Sequence, residues 1–164
     1  MHTNIKFTKD LIKKNEGIRL IPYYDTVQKL TIGYGFNIEE TTNEAVIEHF
    51  NVDSMDKLKQ KFKKGIAIKD AEFLLDFSYK NAVDDCETIF MNFYALDYVR
   101  QAVLIDMAFN LGRFRLRKFV KFIRAMHEYD YQSAYFEMFD SKWAVQVKGR
   151  AIRNAYMILL GEEY

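Results

Sequence analysis

Glycine and proline are distributed unevenly along this chain of 164 residues, and their distribution limits what it can fold into. The only proline and three of the seven glycines fall within residues 15–35, at Pro22, Gly17, Gly33 and Gly35. Both residue types interrupt helices, whereas the rest of the chain is mostly helix-forming. Residues 15–35 are therefore expected to form something other than a packed helix.

Local signals predict a first helix followed by a small antiparallel hairpin. Thr8 is expected to cap the helix, and Gly17 to end it in the left-handed conformation. Pro22 limits the first strand to a sheet edge, because proline cannot donate a ladder hydrogen bond. The two strands and their turn are expected at residues 19–21, 30–32 and 26–29.

The sequence from residue 41 onward follows a helical pattern. Residues 41–44 form a capping box, and Ser54 is expected to cap a helix that buries Met55, Leu58 and Phe62. A run at about 69–90 without glycine or proline predicts a helix of about 33 Å. The segment 97–111 is apolar on nearly all sides, which predicts a central buried helix that Gly112 ends. Further helices are expected at about 115–128, 131–140 and 144–160.

These elements predict an α+β class with one domain over residues 1–164. A small lobe with a short antiparallel sheet is expected at about 8–68. A connecting helix at about 69–90 leads to a helical lobe, which comprises about 91–164 plus the first helix.

Composition and charge describe a globular chain. It is 49% apolar and 16% aromatic with a net charge of +1, which excludes a disordered or collagen-like protein. No secretory signal is expected, and no apolar run approaches the roughly 20 residues that span a bilayer. The one cysteine, Cys86, excludes an internal disulfide and fits a packing residue in a reducing cytoplasm.

A basic cluster leaves a nucleic-acid-binding alternative open. Residues 1–112 carry 14 basic and 17 acidic side chains, a net of −3, whereas 113–164 carry 10 and 6, a net of +4. The cluster consists of Arg113, Arg115, Arg117, Lys118, Lys121 and Arg124. A solvated helix face is the better interpretation, because nucleic-acid-binding proteins usually carry a larger basic excess.

The segment 15–35 also carries the residue types that glycoside hydrolysis requires. Glu16 is expected in the last turn of the first helix, where the helix dipole disfavours an ionised carboxylate and so suits a general acid. Asp25 follows the first strand, and Thr31 opens the second. A hairpin folded back beside the helix brings both carboxyls and a water-holding hydroxyl to one cleft. Singly, each residue also fits a structural role: a solvated Glu, a turn-capping Asp or an ordinary strand Thr.

Three motifs, in order along the chain, connect these residues to a known family. They are E-G-x-R, Y-x-D-T and T-I-G-x-G within 16–35, R-x-A-x-L-I-x-M-x-F-N-L-G at 100–112, and S-K-W-x-x-Q-x-x-x-R-A-x-R at 141–153. In order and spacing they resemble the phage lysozymes, the muramidases of glycoside hydrolase family 24. Residues 36–95 match only as a helical pattern.

The resemblance implies an endolysin that cleaves the β-1,4 bond between N-acetylmuramic acid and N-acetylglucosamine in peptidoglycan, with inversion and without cofactor or metal. It makes Glu16 the general acid, with Asp25 assisting the attacking water and stabilising positive charge on the sugar, and Thr31 positioning that water. Arg150 matches the family arginine that pairs with the acid, although a surface salt bridge fits its spacing equally well. The implied substrate-binding and supporting residues are Asn37, Phe109, Asn110, Gln146 and Arg150.

The chain departs from the family pattern at three positions. Phe36 stands where a close family member has a histidine, so that member's histidine–carboxylate pair cannot form here. Val27 and Asn37 replace residues that contact substrate there. The sole tryptophan, Trp143, is expected in the core rather than stacked on a sugar.

The resemblance also implies partners and a place of action. Peptidoglycan is the expected substrate, and a monomer made in the host cytoplasm is expected to need a holin to reach the wall. Neither nucleic-acid binding nor stable membrane insertion is expected. The main alternative is a catalytically inactive lysozyme fold that binds the wall or has a structural role in a virion.

Overall fold

Helices make up most of the structure, and the strands within the described residues all lie between residues 19 and 37. The computed structural model describes residues 3–25, 28–39 and 44–164. Its α-helices are α1 (Ile5–Glu16), α2 (Glu44–His49), α3 (Met55–Phe62), α4 (Ile68–Ile89), α5 (Tyr98–Leu116), α6 (Val120–His127), α7 (Tyr131–Phe139), α8 (Lys142–Val147) and α9 (Gly149–Leu160), with a 3-10 helix at Phe93–Ala95. Its strands are β1 (Arg19–Tyr24), β2 (Leu30–Gly33) and β3 (Phe36–Asn37). The predicted α+β class is confirmed.

The three strands form one antiparallel sheet in the order β1-β2-β3. Tyr23 pairs with Thr31, and Thr31 in turn pairs with Asn37. β1 is an edge strand, as Pro22 predicts. The third strand was not predicted, because two residues are too short for a hydrophobic pattern. Gly35, with φ of 82°, makes the tight turn before it possible.

The chain divides into two compact units. One, here called the sheet unit, is Glu16–Ser78; the other, the helical unit, combines Met1–Asn15 with Tyr79–Tyr164. The helix predicted at 69–90 is α4, which contributes residues to both units.

Aromatic side chains form much of the sheet unit's core. Phe36 is buried with its ring edge-on to Phe62 and Phe77, at centroid distances of 6.5 and 6.4 Å. Phe36 therefore contributes apolar packing to this core. Leu58 and Phe62 of α3 are buried as predicted, and Ser54 accepts a hydrogen bond from the backbone N–H of Lys57 at 3.4 Å.

The helical unit is built around α5. Residues from Val99 to Ala108 are buried without interruption, which confirms the predicted central helix. Gly112 breaks the helical geometry with φ of 70° and ψ of 162°, although one further turn follows it to Leu116. Cys86 and Trp143 are also buried, in agreement with the packing roles predicted for them.

Several predicted helix boundaries are wrong. Asn4, not Thr8, caps α1: its side chain accepts from the N–H of Phe7, while Thr8 lies inside the helix and donates to the Asn4 carbonyl. The helix predicted from 115 begins at Val120, because the turn after Gly112 ends first. The predicted helix 144–160 is two helices, interrupted at Lys148 with φ of 45°.

Two predicted local features lie outside the described residues. They are the capping box, whose residues 41–43 are affected, and half of the turn at 26–29, including Val27. Within the described residues, no helix has both the length and the apolar character needed to cross a membrane.

Candidate active site

Glu16 is held at the point where α1 ends. Gly17 follows with φ of 65°, the left-handed conformation predicted for it, so the helix cannot continue. The backbone of Gly35 lies against the carboxyl group: a Cβ built on Gly35 would be 3.2 Å from Glu16 Oε2. The turn between β2 and β3 therefore approaches the carboxyl as closely as a glycine allows.

Asp25 organises the turn that follows β1. Its Oδ1 accepts a hydrogen bond of 2.8 Å from the backbone N–H of Lys29, and its own N–H donates to the Lys29 carbonyl at 3.0 Å. Gln28, with φ of 63°, donates its N–H to the Asp25 carbonyl. The turn-capping role considered for Asp25 is therefore observed, and these hydrogen bonds orient its carboxylate; its catalytic role stays a prediction.

Thr31 lies on β2 with its hydroxyl in a fixed direction. It is buried, and Oγ1 donates to the Lys29 carbonyl at 3.0 Å. A hydroxyl that has used its hydrogen can only accept further hydrogen bonds. A water bound to the Thr31 hydroxyl would therefore donate a hydrogen bond to it. The lone pairs of the water oxygen would then remain available to attack a substrate.

Tyr23 connects these three residues. It pairs with Thr31 across the sheet, and burial together with the negative charges of Glu16 and Asp25 raises the pKa of its phenol. Arg19 acts in the opposite direction, with its guanidinium carbon 4.4 Å from the centre of the Tyr23 ring. Two carboxyl groups thus act on one side chain within the sheet unit. Sequence reasoning missed Tyr23 although it is the tyrosine of the Y-x-D-T motif.

Asn37 lies beside this group on the third strand. It pairs with Thr31 in the sheet, and its Oδ1 accepts from the backbone N–H of Glu39 at 2.9 Å. The sheet unit therefore contains all of the predicted catalytic residues and one of the predicted substrate-binding residues.

The other predicted site residues belong to the helical unit, where Arg150 is buried rather than on the surface. Its Nε and Nη2 each donate to the carboxylate of Asp106 at 2.9 Å, and Nη2 also donates to the Asp106 carbonyl at 3.1 Å. The surface salt bridge considered as an alternative is therefore wrong. The pairing of Arg150 with Glu16 stays a prediction.

Asp106 is the functional candidate that sequence reasoning missed in the helical unit. Besides Arg150, its carboxylate accepts hydrogen bonds of 2.8 Å from the side-chain amides of Asn15 and Asn154. Asn15 in turn accepts from Arg153. The available signal was an acidic residue between apolar Ile105 and Met107 in a helix predicted to be buried, because a buried carboxylate needs charged or hydrogen-bonding partners.

Asn110 and Gln146 lie near a groove on the helical unit. Asn110 Oδ1 accepts from the indole Nε1 of Trp143 at 2.8 Å, and the preceding residue, Phe109, is half-buried. Trp143 and Gln146 line the groove, whose volume is about 650 Å³. Asn110 therefore holds the tryptophan in place, a contact that the motif alone did not indicate.

The basic cluster at 113–124 is partly neutralised inside the helical unit. Arg113 pairs with Asp85 at 2.6 Å, Arg124 with Glu128 at 2.9 Å, and Lys121 lies 3.8 Å from Glu137. This pairing reduces the positive potential available to an anionic polymer. Across residues 3–25, 28–39 and 44–164, no three His, Cys, Asp or Glu side chains are grouped as a metal site requires.

Comparisons with known proteins agree with the motifs. A family model described as phage lysozyme matches residues 13–155. The chain is 29% identical over 151 residues to "Probable T4-type lysozyme 2" of Dictyostelium discoideum, covering 88% of this chain and 89% of that protein. It is also 29% identical over 157 residues to the pre-baseplate central spike protein Gp5 of Enterobacteria phage T4, covering 93% of this chain but only 27% of that protein.

Proposed function

Because the chain belongs to the phage lysozyme family, we propose that it hydrolyses the β-1,4 bond between N-acetylmuramic acid and N-acetylglucosamine in bacterial peptidoglycan. The observation that carries this proposal is the position of Tyr23. This residue pairs with Thr31 in the sheet, and the negative charges of both Glu16 and Asp25 contribute to raising the pKa of its phenol. Two carboxyl groups beside a water-orienting hydroxyl are what an acid-catalysed glycosidase requires.

Glu16 acts as the general acid and transfers its proton to the glycosidic oxygen as that bond breaks. Glu16 is the last residue of α1, and Gly17 in the left-handed conformation fixes where that helix ends. The close backbone of Gly35 limits the space in which the carboxyl can move. A restricted acid is an efficient donor, because catalysis depends on keeping the proton within hydrogen-bond distance of the oxygen.

Asp25 acts on the opposite side of the reaction. The backbone N–H of Lys29 supports its charge, so the carboxylate can stabilise developing positive charge on the sugar ring and accept a proton from the attacking water. Thr31 accepts a hydrogen bond from that water, because its own hydrogen is already donated to the Lys29 carbonyl. The water therefore presents its oxygen to the anomeric carbon.

Arg150 is proposed to act as a buried cation that pairs with the general acid, Glu16. Its three hydrogen bonds to Asp106 define its position, and Asn15 and Asn154 hold the Asp106 carboxylate in turn. Once Glu16 has given up its proton, a nearby guanidinium would stabilise the carboxylate that forms. The family resemblance, not the contacts of the helical unit, supplies this pairing.

In its biological setting the protein is proposed to be an endolysin. It would be made in the cytoplasm of a bacterial host and reach peptidoglycan after a holin has opened the membrane. A second candidate rests on the phage spike protein Gp5, of which the matched part is only 27%. In that case the chain would bind or cut the wall as part of a virion.

The deciding experiment is mass spectrometry of purified peptidoglycan after digestion and borohydride reduction. A muramidase leaves new reducing ends on muramic acid, so reduced muramic acid should appear at the fragment ends. Reduced glucosamine would instead show that the other glycosidic bond is cut. Wall binding without any product would favour the non-catalytic alternative.

The same digest assigns the acid when it is repeated with Glu16→Gln. Glutamine keeps the size of the side chain but cannot donate a carboxyl proton, so turnover should fall at least about 100-fold. Exposed Glu48 of α2, changed to Gln, is the matched control and should keep full activity. A Glu16→Gln enzyme within about threefold of wild type would remove Glu16 from the mechanism.

A further inference from the structure

Helix α9 is apolar on its outer face as well as on the face that packs into the helical unit. Ala151, Ala155 and Ile158 are buried. On the opposite side of the helix, Ile152, Tyr156 and Leu160 recur every four residues and are 44, 37 and 57% exposed, and Tyr164, which follows the end of α9, is 69% exposed. A helix on the surface of a monomer normally presents polar residues to water. The outer side of α9 is therefore expected to have a partner.

Aromatic residues of α7 widen this surface. The ring of Tyr156 lies 5.5 Å from that of Tyr135 and stacks on Tyr164 at 5.9 Å with an interplanar angle of 9°. Tyr135 also packs edge-on against Phe136, whose side chain is exposed. We call the exposed set the outer apolar face; its members are Phe136, Ile152, Tyr156, Leu160 and Tyr164. Contiguous exposed apolar surfaces of this kind mark interaction sites.

In place of the monomer that the family resemblance implies, we propose that the outer apolar face binds a second copy of this chain, with the two α9 helices antiparallel about a two-fold axis near Tyr156. Ile152 and Leu160 lie four residues on either side of Tyr156, about 6 Å away in each direction at the helical rise. An antiparallel two-fold arrangement therefore places Ile152 of one copy against Leu160 of the other. The surface is complementary to itself, as a two-fold interface requires.

Charges at the two ends of the helix support the antiparallel direction. Exposed Lys148 precedes α9, whereas exposed Glu162 and Glu163 follow it. In an antiparallel pair each lysine approaches the glutamates of the other copy. A parallel pair would place like charges together, and the acidic end would also disfavour an anionic lipid surface. The net charge of +1 opposes self-association little.

The size of the face matches a weak, specific dimer. Its five side chains, each exposing on the order of 100 Å², supply roughly 500 Å² per copy. Specific interfaces bury at least about 600 Å² per partner. Polar residues around the outer apolar face would supply the remaining area. Tyrosine and phenylalanine are also enriched at the centres of such interfaces.

Sedimentation velocity on the full chain, from about 10 µM to about 1 mM, tests the proposal over the range expected for a weak interface. Wild type should shift from monomer to dimer across this range. Ile152→Lys and Leu160→Lys should each weaken association at least about tenfold, because a buried lysine opposite an apolar side chain is strongly unfavourable. Met91, which is 88% exposed and outside the face, provides the control Met91→Lys, and that variant should associate like wild type.

A charge exchange tests the antiparallel direction separately. Lys148→Glu should weaken the dimer, and adding Glu162→Lys should restore it, because the two positions meet only across the antiparallel axis. Thermal unfolding of every variant checks that the fold is kept. A monomer at every concentration would overturn the proposal, and so would a dimer unaffected by Ile152→Lys and Leu160→Lys. Binding to lipid vesicles without self-association would assign the face to a bilayer and overturn it equally.

Discussion

The guanidinium of Arg150 donates two hydrogen bonds of 2.9 Å to the carboxylate of Asp106, and both side chains are buried in the helical unit. A buried ion pair of this kind contributes little net stability compared with apolar residues, but removal of one partner leaves an uncompensated charge. The pair is therefore best understood as a means of holding a cation in one position.

Asp106→Asn should lower the free energy of unfolding by about 3–5 kcal/mol, because Arg150 would remain buried without a counter-charge. Urea unfolding measures the change. Asp84→Asn, at an exposed position of α4, is the matched control and should change stability by no more than about 0.5 kcal/mol. Adding Asn15→Asp to Asp106→Asn returns a carboxylate to the same network and should recover part of the loss. Wild-type stability in Asp106→Asn would contradict the charge-holding role.

Gly35→Ala should reduce both stability and turnover. The new Cβ would lie 3.2 Å from Glu16 Oε2, and φ of 82° strains any residue with a side chain. Gly33→Ala, at the end of β2, is the control: its φ of 68° imposes similar strain, about 1–2 kcal/mol, but its Cβ would meet Ala71 and Ile66 at ordinary distances of 3.5 Å or more. Lysis rates compared at equal folded fraction isolate the effect on Glu16. Equal losses of turnover in both variants would show that backbone strain alone is responsible.

Stability should fall in mildly alkaline solution because of Cys86. Burial raises the pKa of this thiol well above its ordinary value. As the pH rises, the thiol therefore loses its proton in the unfolded chain before it does so in the folded protein. The free energy of unfolding is highest below the unfolded pKa of about 8.5 and declines as the pH rises above it. The slope should approach about 1.4 kcal/mol per pH unit and be smaller in Cys86→Ala. Identical pH profiles for the two proteins would count against this account.

Hydrolysis should invert the anomeric centre. Inverting glycosidases keep their carboxyls about 6.5–9.5 Å apart to admit a water, whereas retaining enzymes hold them about 5–5.5 Å apart. A water oriented by Thr31 and assisted by Asp25 belongs to the first arrangement. Proton NMR of the first product from a β-linked substrate should therefore show the α-anomer. Initial appearance of the β-anomer would make Asp25 a nucleophile instead.

Much of the local structure could be predicted from the sequence. Gly17 ends α1 directly after Glu16, Pro22 lies in an edge strand, and the uninterrupted run at 69–90 forms α4. Each of these features depends on the conformational preferences of a few neighbouring residues, and the residue types alone indicate those preferences. Glu16, Asp25 and Thr31 likewise lie within 15 positions of one another, so one helix end and one hairpin suffice to place them all in the sheet unit.

Only the tertiary structure decided which distant residues meet. Asp106 and Arg150 are 44 positions apart, and neither helical periodicity nor motif spacing specifies that their side chains form a pair. The pairing of Tyr23 with Thr31 depends on strand register, since a shift of one residue would turn every side chain to the other face. The same limit applies to α9, whose apolar outer residues resemble core positions in sequence. Burial is a property of the packed chain, and long-range contacts form only when the whole core is assembled.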